Sequence, residues 1–128
     1  MDNPSDRKYT TSHEWLRDNG DGTATVGITF HAQDAQGEHV YVELPAVGRK
    51  VAAAEACVVV ESTKAASDVY APVAGEVVEV NGALGDAPQT VNESPYDKGW
   101  LFRIRVSDAG QIAGLMSAAD YAAGPGAA

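Results

Sequence analysis

Residues 58–72 read VVVESTKAASDVYAP, apolar at both ends and polar in the middle, with one lysine, Lys64, at the centre. Cys57–Glu61 is continuous and β-branched, the pattern of a strand buried on both faces. Val69–Ala71 suits a second strand, and Pro72 closes it. A type I turn accepts most residues, so residues 62–65 need no Gly or Pro to join the two. The pattern predicts a strand–turn–strand unit with Lys64 at its tip. Residues 51–96 contain no other Lys or Arg, but they contain Glu55, Glu61, Asp68, Glu76, Glu79, Asp86 and Glu93. Lys64 is thus an isolated cation in an acidic segment. Two readings remain open from the residues alone: a solvated surface lysine, as most are, or an amine displayed for covalent modification. A modified lysine becomes a tether whose reach sets the effective concentration of its cargo.

Downstream of this unit, Gly75–Val80 predicts a third strand with a turn at Asn81-Gly82. Residues 83–99 read as irregular, broken by Pro88, Pro95 and Gly99. Trp100–Val106 alternates as a strand with Trp100, Phe102 and Ile104 on one side. Asp108 is placed to cap a helix through Met116, with Ile112, Leu115 and Met116 on one stripe. Ser117 then restarts a helical turn that docks Tyr121. Upstream, His39–Leu44 alternates, with Val40, Val42 and Leu44 sharing a face and Pro45 as the stop. Thr29 can cap a short helix over residues 30–36 that Gly37 ends. DNGDG at 18–22 is a turn signal between two strand-like runs, so 14–29 predicts a hairpin. Residues 1–7 read as a flexible lead-in, 8–122 as one domain and 123–128 as a disordered Ala/Gly tail. Many short strands with frequent turns and a C-terminal helix predict a mainly β fold, a small barrel or sandwich.

The formal net charge of −9 argues against nucleic-acid or anionic-membrane partners. The single Cys57 leaves no internal disulfide and no Cys pair for zinc or CxxC chemistry. It sits in an apolar, acidic setting without a local base, which suits a small core residue better than a nucleophile. His31, Glu38 and His39 match no strong metal motif, so no metal is expected. No secretory or transit signal and no spanning apolar run is visible, and the expected location is cytoplasmic.

Glu61-Ser62-Thr63-Lys64-Ala65 resembles the attachment site of lipoyl domains. The related biotinyl domains commonly carry Met beside the lysine, so Thr63 and Ala65 favour lipoate. Gly48 and Gly75 stand where lipoyl domains usually have glycines. The longer pattern is more specific: HEWL at 13–16, VGIT at 26–29, HAQ at 31–33, VELPAVG at 42–48, ESTKAASDVYAPVAGEVVEVN at 61–81 and NESPYDKGWLFRI at 92–104. These blocks, in this order, resemble the H protein of the glycine cleavage system from about Lys8 to Tyr121. The resemblance implies a barrel-sandwich hybrid of the lipoyl-domain kind. It implies one covalent lipoate on Lys64 and a carrier with no turnover of its own. Its partners would be the pyridoxal-phosphate glycine decarboxylase, the aminomethyltransferase, dihydrolipoamide dehydrogenase and the lipoyl- or octanoyl-attaching enzymes. Ser12, Glu14, Asp68 and His31 match positions that line the cleft for the loaded aminomethyl group. Carboxylates and a hydroxyl suit an ammonium-bearing adduct through charge-assisted hydrogen bonds. The chain departs from the family at Phe30, Gln36 and His39, where an acid, a leucine and an apolar residue are common. Two alternatives stand beside the carrier: a lipoate donor to the 2-oxoacid dehydrogenase complexes, and an unmodified β-fold interaction module.

Overall fold

The computed structural model describes residues 3–126. Nine strands form two antiparallel sheets. Strands β1 (Lys8–Tyr9), β2 (Glu14–Asp18), β3 (Thr23–Ile28), β5 (Lys50–Val51), β8 (Gly75–Val80) and β9 (Phe102–Val106) make the larger sheet, in the order β1-β2-β3-β9-β8-β5. Strands β4 (His39–Glu43), β6 (Ala56–Ser62) and β7 (Ala66–Tyr70) make the smaller, with β6 in the centre. This is the mainly β barrel-sandwich architecture the pattern predicts, with short helices, one of them C-terminal.

The hairpin β2–β3 forms as the DNGDG signal predicts, with Asp18 paired to Ala24. Gly20 and Gly22 take φ of 83° and 89°, which is why this turn needs glycine. The short helix α1 (Phe30–Gln36) is capped by Thr29, whose Oγ1 accepts from the Ala32 N–H at 3.2 Å. Gly37, at φ 85°, ends it. One apolar core lies between the sheets and includes Leu16, Val26, Val58, Val60, Phe102 and Ile104. Full burial of a side chain such as Phe102 stabilises by about 1.5–3 kcal/mol. A second, aromatic cluster of Tyr9, Trp15, Tyr96 and Tyr121 seals one flank. There the Trp15 Nε1–H donates to the Pro95 carbonyl at 2.9 Å.

Four details differ from the linear pattern. A bulge between His39 and Tyr41 breaks the alternation of β4. His39 turns inward and Val40 is left 55% exposed, so Val40, Val42 and Leu44 share no face. Trp100 lies outside β9 and packs under Arg103, whose guanidinium carbon is 4.6 Å from the ring centroid. Residues 83–99 hold a 3-10 turn, completed at Gly85, and the one-turn helix α2 (Thr90–Glu93). The expected helix from 108 to 116 is cut to α3 (Gly110–Ala113), because Met116 is taken by Tyr9. Their backbones exchange hydrogen bonds of 2.8 and 2.9 Å, an extended pairing that a helix cannot make. Ser117 then caps α4 (Ala118–Ala123) and Tyr121 is fully buried, as predicted.

The expected loose ends make contacts as far as they are described. Arg7 stacks 4.5 Å from the Trp15 ring and donates to the Tyr96 carbonyl at 2.7 Å. The Gly126 N–H donates to the Tyr121 carbonyl at 2.8 Å. Residues 127 and 128 lie outside the described residues.

Gly48 and Gly75 are required for different reasons. Gly75 lies against β9, where an added Cβ would meet the Arg105 carbonyl oxygen at 2.1 Å. Gly48 has open space around it but sits at φ 94°. Gly75→Ala should therefore lower unfolding free energy by about 3 kcal/mol or more through overpacking. Gly48→Ala should cost only about 1–2 kcal/mol, from left-handed backbone strain. Urea midpoints check the order, and equal losses would contradict it.

Candidate functional site

The turn between β6 and β7 is closed by one hydroxyl. Ser62 Oγ accepts from the backbone N–H of Lys64 at 3.2 Å and of Ala65 at 3.3 Å. It donates to the Ala65 carbonyl at 3.1 Å, and the Ser62 N–H bonds the same carbonyl at 2.9 Å. The Thr63 N–H donates to the Glu38 carbonyl at 3.0 Å and so fastens the tip to the start of β4. Ala65 adds no bulk beside the lysine. Glu61 is exposed on β6, opposite Tyr41 and Ala66. Lys64 is exposed, and among the described residues it enters no ion pair. Its stem passes over Gly37, where a Cβ would lie 3.5 Å from Lys64 Cε. The backbone beneath the amine is therefore rigid, while the amine itself is accessible.

Glu14 opens β2 and is almost fully buried. Its Oε1 accepts from Thr10 Oγ1 and Ser12 Oγ, each at 2.6 Å. Its Oε2 accepts from the Tyr70 N–H of β7 at 3.3 Å. Glu14 thereby joins the N-terminal segment to the strand that leaves Lys64. Ser12 and Glu14 are in direct contact. Thr10 and Tyr70 complete the set, and no local motif marks either of them in the sequence.

His31 does not touch Glu14. It stacks on His13, with centroids 4.5 Å apart and planes at 15°. His13 Nδ1 lies 2.6 Å from Tyr121 Oη, which in turn lies 2.8 Å from Thr29 Oγ1. Burial, and then the neighbouring His31, lower the His13 pKa. His13 also holds φ at 72°, an uncommon conformation for a residue with a Cβ, placed between Ser12 and Glu14. The sequence reading overlooked His13, although it stands in the quoted HEWL block.

Asp68 is exposed on β7, paired with Val59. It lines a surface pocket of about 330 Å³ together with Glu43, Pro45, Arg49, Ala56 and Cys57. It follows Lys64 by four residues, past the turn and into β7. The Cys57 thiol is pushed up to about 12, mainly by burial, with Arg49 lowering it and Glu14 and Glu55 raising it further. The thiol is thus inert, and Glu14 lies near the pocket wall that Cys57 forms. The geometry groups Ser12 with Glu14 directly, places Asp68 in the pocket beside Cys57, and sets His31 with His13 and Tyr121. Such an arrangement can hold a cationic or hydrogen-bonding group near a carboxylate. Among the described residues no cluster of His, Cys, Asp and Glu could hold a metal, and no helix is long and apolar enough to cross a membrane.

Burial raises the Glu14 carboxyl above its ordinary value of 4.5, against the lowering by Ser12, Thr10 and Tyr70. In the folded state the group keeps its proton to higher pH than in the unfolded chain. Its contribution to stability is therefore best at and below the ordinary glutamate range, and declines as pH rises through the raised value. Glu14→Gln carries no charge and should flatten that limb. Thermal melts from acid to neutral pH should show the wild type losing ground to the variant as pH rises. Parallel curves would contradict a raised carboxyl.

A family profile described as glycine cleavage H-protein matches residues 7–124. The glycine cleavage system H protein of Marinomonas sp. (strain MWYL1) is 58% identical over 120 residues, covering 94% of each chain. That of Pseudoalteromonas translucida is 57% identical over 119 residues, covering 93% of this chain and 92% of its own. The crystal structure of a glycine cleavage system H protein from Mycobacterium marinum superposes with a TM-score of 0.88 at 43% identity, covering 97% of this chain and 99% of that one. With the hairpin lysine, the two sheets and these similarities spanning nearly its full length, the chain belongs to the glycine cleavage H-protein family.

Proposed function

We propose that this chain is the lipoyl-carrying shuttle of glycine cleavage, moving an aminomethyl group from glycine decarboxylase to the aminomethyltransferase in the cytoplasm. Family membership supports the role, and one observation carries the site: Lys64 stands exposed on a turn whose backbone is pinned by Ser62. An unpaired primary amine on a rigid tip fits a group joined to it by an amide. Lipoate there would supply a disulfide that takes up the aminomethyl group and yields it to tetrahydrofolate.

The protein's own residues present and shelter the cargo. Ser62 holds the turn so that a modifying enzyme meets the amine in one orientation. Glu61, Thr63 and Ala65 shape what that enzyme touches. Glu14, supported by Thr10 and Ser12, offers a carboxylate in a desolvated place, where attraction for an ammonium is stronger than in water. Asp68 offers a second carboxylate on the strand that runs from Lys64. His31 acts at one remove, by holding His13 next to Ser12 and Glu14. Enclosure of the loaded group limits its loss to water. The chain turns over no substrate itself. Glycine decarboxylase, the aminomethyltransferase, dihydrolipoamide dehydrogenase and a lipoyl- or octanoyl-attaching enzyme act on it in turn. A formal net charge of −9 suits repeated docking on basic surfaces, because steering speeds encounter more than it deepens affinity.

Lys64→Arg tests the site. The variant should keep its stability within about 0.5 kcal/mol, as exposed substitutions do. It should carry no lipoyl mass when produced in a lipoate-replete host, and it should not support glycine decarboxylation with the three partner enzymes. Wild-type Lys64 peptide that stays wholly unmodified in that host would overturn the carrier reading.

A further inference from the structure

The Lys64 hairpin rests on the bend at Gly37–Glu38. Thr63 bonds the Glu38 carbonyl, and the Lys64 stem crosses Gly37. That bend is itself held by one side chain, Asn92 of α2. The Asn92 Nδ2 donates to the Gly37 carbonyl and to Gln33 Oε1, both at 2.8 Å. Its Oδ1 accepts from the His39 N–H at 2.8 Å and lies 3.0 Å from His39 Nδ1. The backbone contact leaves the amide no choice of orientation: its oxygen faces β4 and its nitrogen faces α1 and the bend. His39 is buried, and its Nε2 lies 2.6 Å from Gln36 Oε1. Gln36 and His39, two of the three departures from the family pattern, therefore belong to one polar cluster around Asn92.

We propose that Asn92 is a positioning residue for Lys64, acting through the Gly37–Glu38 bend on which the hairpin tip rests. The proposal deepens the carrier reading, since the tip is where the cargo would be attached. The path is short and specific. Asn92 fixes the Gly37 carbonyl, the adjoining Glu38 carbonyl receives Thr63, and Thr63 precedes Lys64. A Cβ on Gly37 would lie 3.4 Å from Thr63 Oγ1, so little more than the breadth of a methyl group separates the bend from the tip. Without the Asn92 amide, the bend keeps the Gly37 N–H bond to the Gln33 carbonyl but loses the donor on its Gly37 carbonyl.

Asn92→Asp separates positioning from general support. Its carboxylate keeps the acceptor toward His39 but meets the Gly37 carbonyl with an oxygen instead of an N–H. A protonated carboxyl restores a donor at that place. Amide hydrogen exchange on the unmodified protein reads the tip at Thr63, with Leu101, bonded to the Val26 carbonyl at 2.8 Å, as the core reference. Asn92→Ala should lower Thr63 protection about tenfold, the scale of one lost hydrogen bond, and leave Leu101 unchanged. Asn92→Asp should show the same loss at neutral pH and regain protection as pH falls into the carboxylate range. The wild type at each pH controls for titration of His39 on β4, Asp34 on α1, Glu93 on α2 and Glu38. A lipoate-attaching ligase with ATP and lipoate, followed by intact mass, should modify Asn92→Ala about tenfold more slowly than wild type. Unchanged Thr63 protection and an unchanged modification rate would overturn the proposal. So would Thr63 and Leu101 losing protection together in both variants at every pH. Wild-type protein that the ligase never modifies would sink the carrier reading alone, and the exchange data would still decide the role of Asn92.

Discussion

Val58 and Val60 of β6 face inward, where they meet Val69 of β7 and Val42 of β4 across the ladders. All four are buried, and side chains alternate with a period of two. A slip of one residue would turn these valines to solvent and bring Glu61 into the core. The register of β6 from Val58 to Val60 is therefore held by the hydrophobic effect. Its consequence appears at the end of the strand, where Ser62 must close the turn and Lys64 must stand on top. Core packing along β6 thereby gives the backbone of Lys64 a fixed place.

Two polar supports of different chemistry hold the hairpin, one beneath its tip and one at the far end of β7. On one side a polar cluster, Asn92 with Gln33, Gln36 and His39, fixes the bend under the lysine stem. On the other, Glu14 reaches from β2 to the backbone of β7 at Tyr70. In the first support burial lowers the pKa of His39, against the raising effect of Asn92. The second contains a carboxylate kept from water, the kind of group that holds a cation tightly once one arrives. An aromatic seal joins both ends of the chain behind them. Tyr9 and Tyr121 stack at 4.9 Å, and Tyr121 Oη links His13 to Thr29.

Much of this was legible in the linear chain wherever structure is local. Thr29 and Gly37 bracket α1 because a cap and a left-handed stop act on neighbouring backbone groups. DNGDG makes its hairpin for the same reason. Legibility failed where a distant partner overrides local preference. Leu115 and Met116 carry a helical stripe, yet Met116 pairs with Tyr9. Val40 alternates correctly, yet the bulge beside His39 turns it outward. Gln36 and His39 looked like stray departures from a pattern until Asn92 brought them together.

By itself the sequence determined the strand–turn–strand around Lys64, the isolation of that cation and the likeness of its neighbours to a lipoyl-domain hairpin. These rest on residue order, period and turn chemistry, all readable within a few positions. Only the tertiary structure decided which groups distant in the chain meet. Glu14 meets Tyr70, Asn92 meets Gly37, and His13 meets His31, each across a separation in the chain that no local pattern spans. Such contacts depend on how two sheets close over a shared core, and that closure is set by burial of all the apolar faces at once.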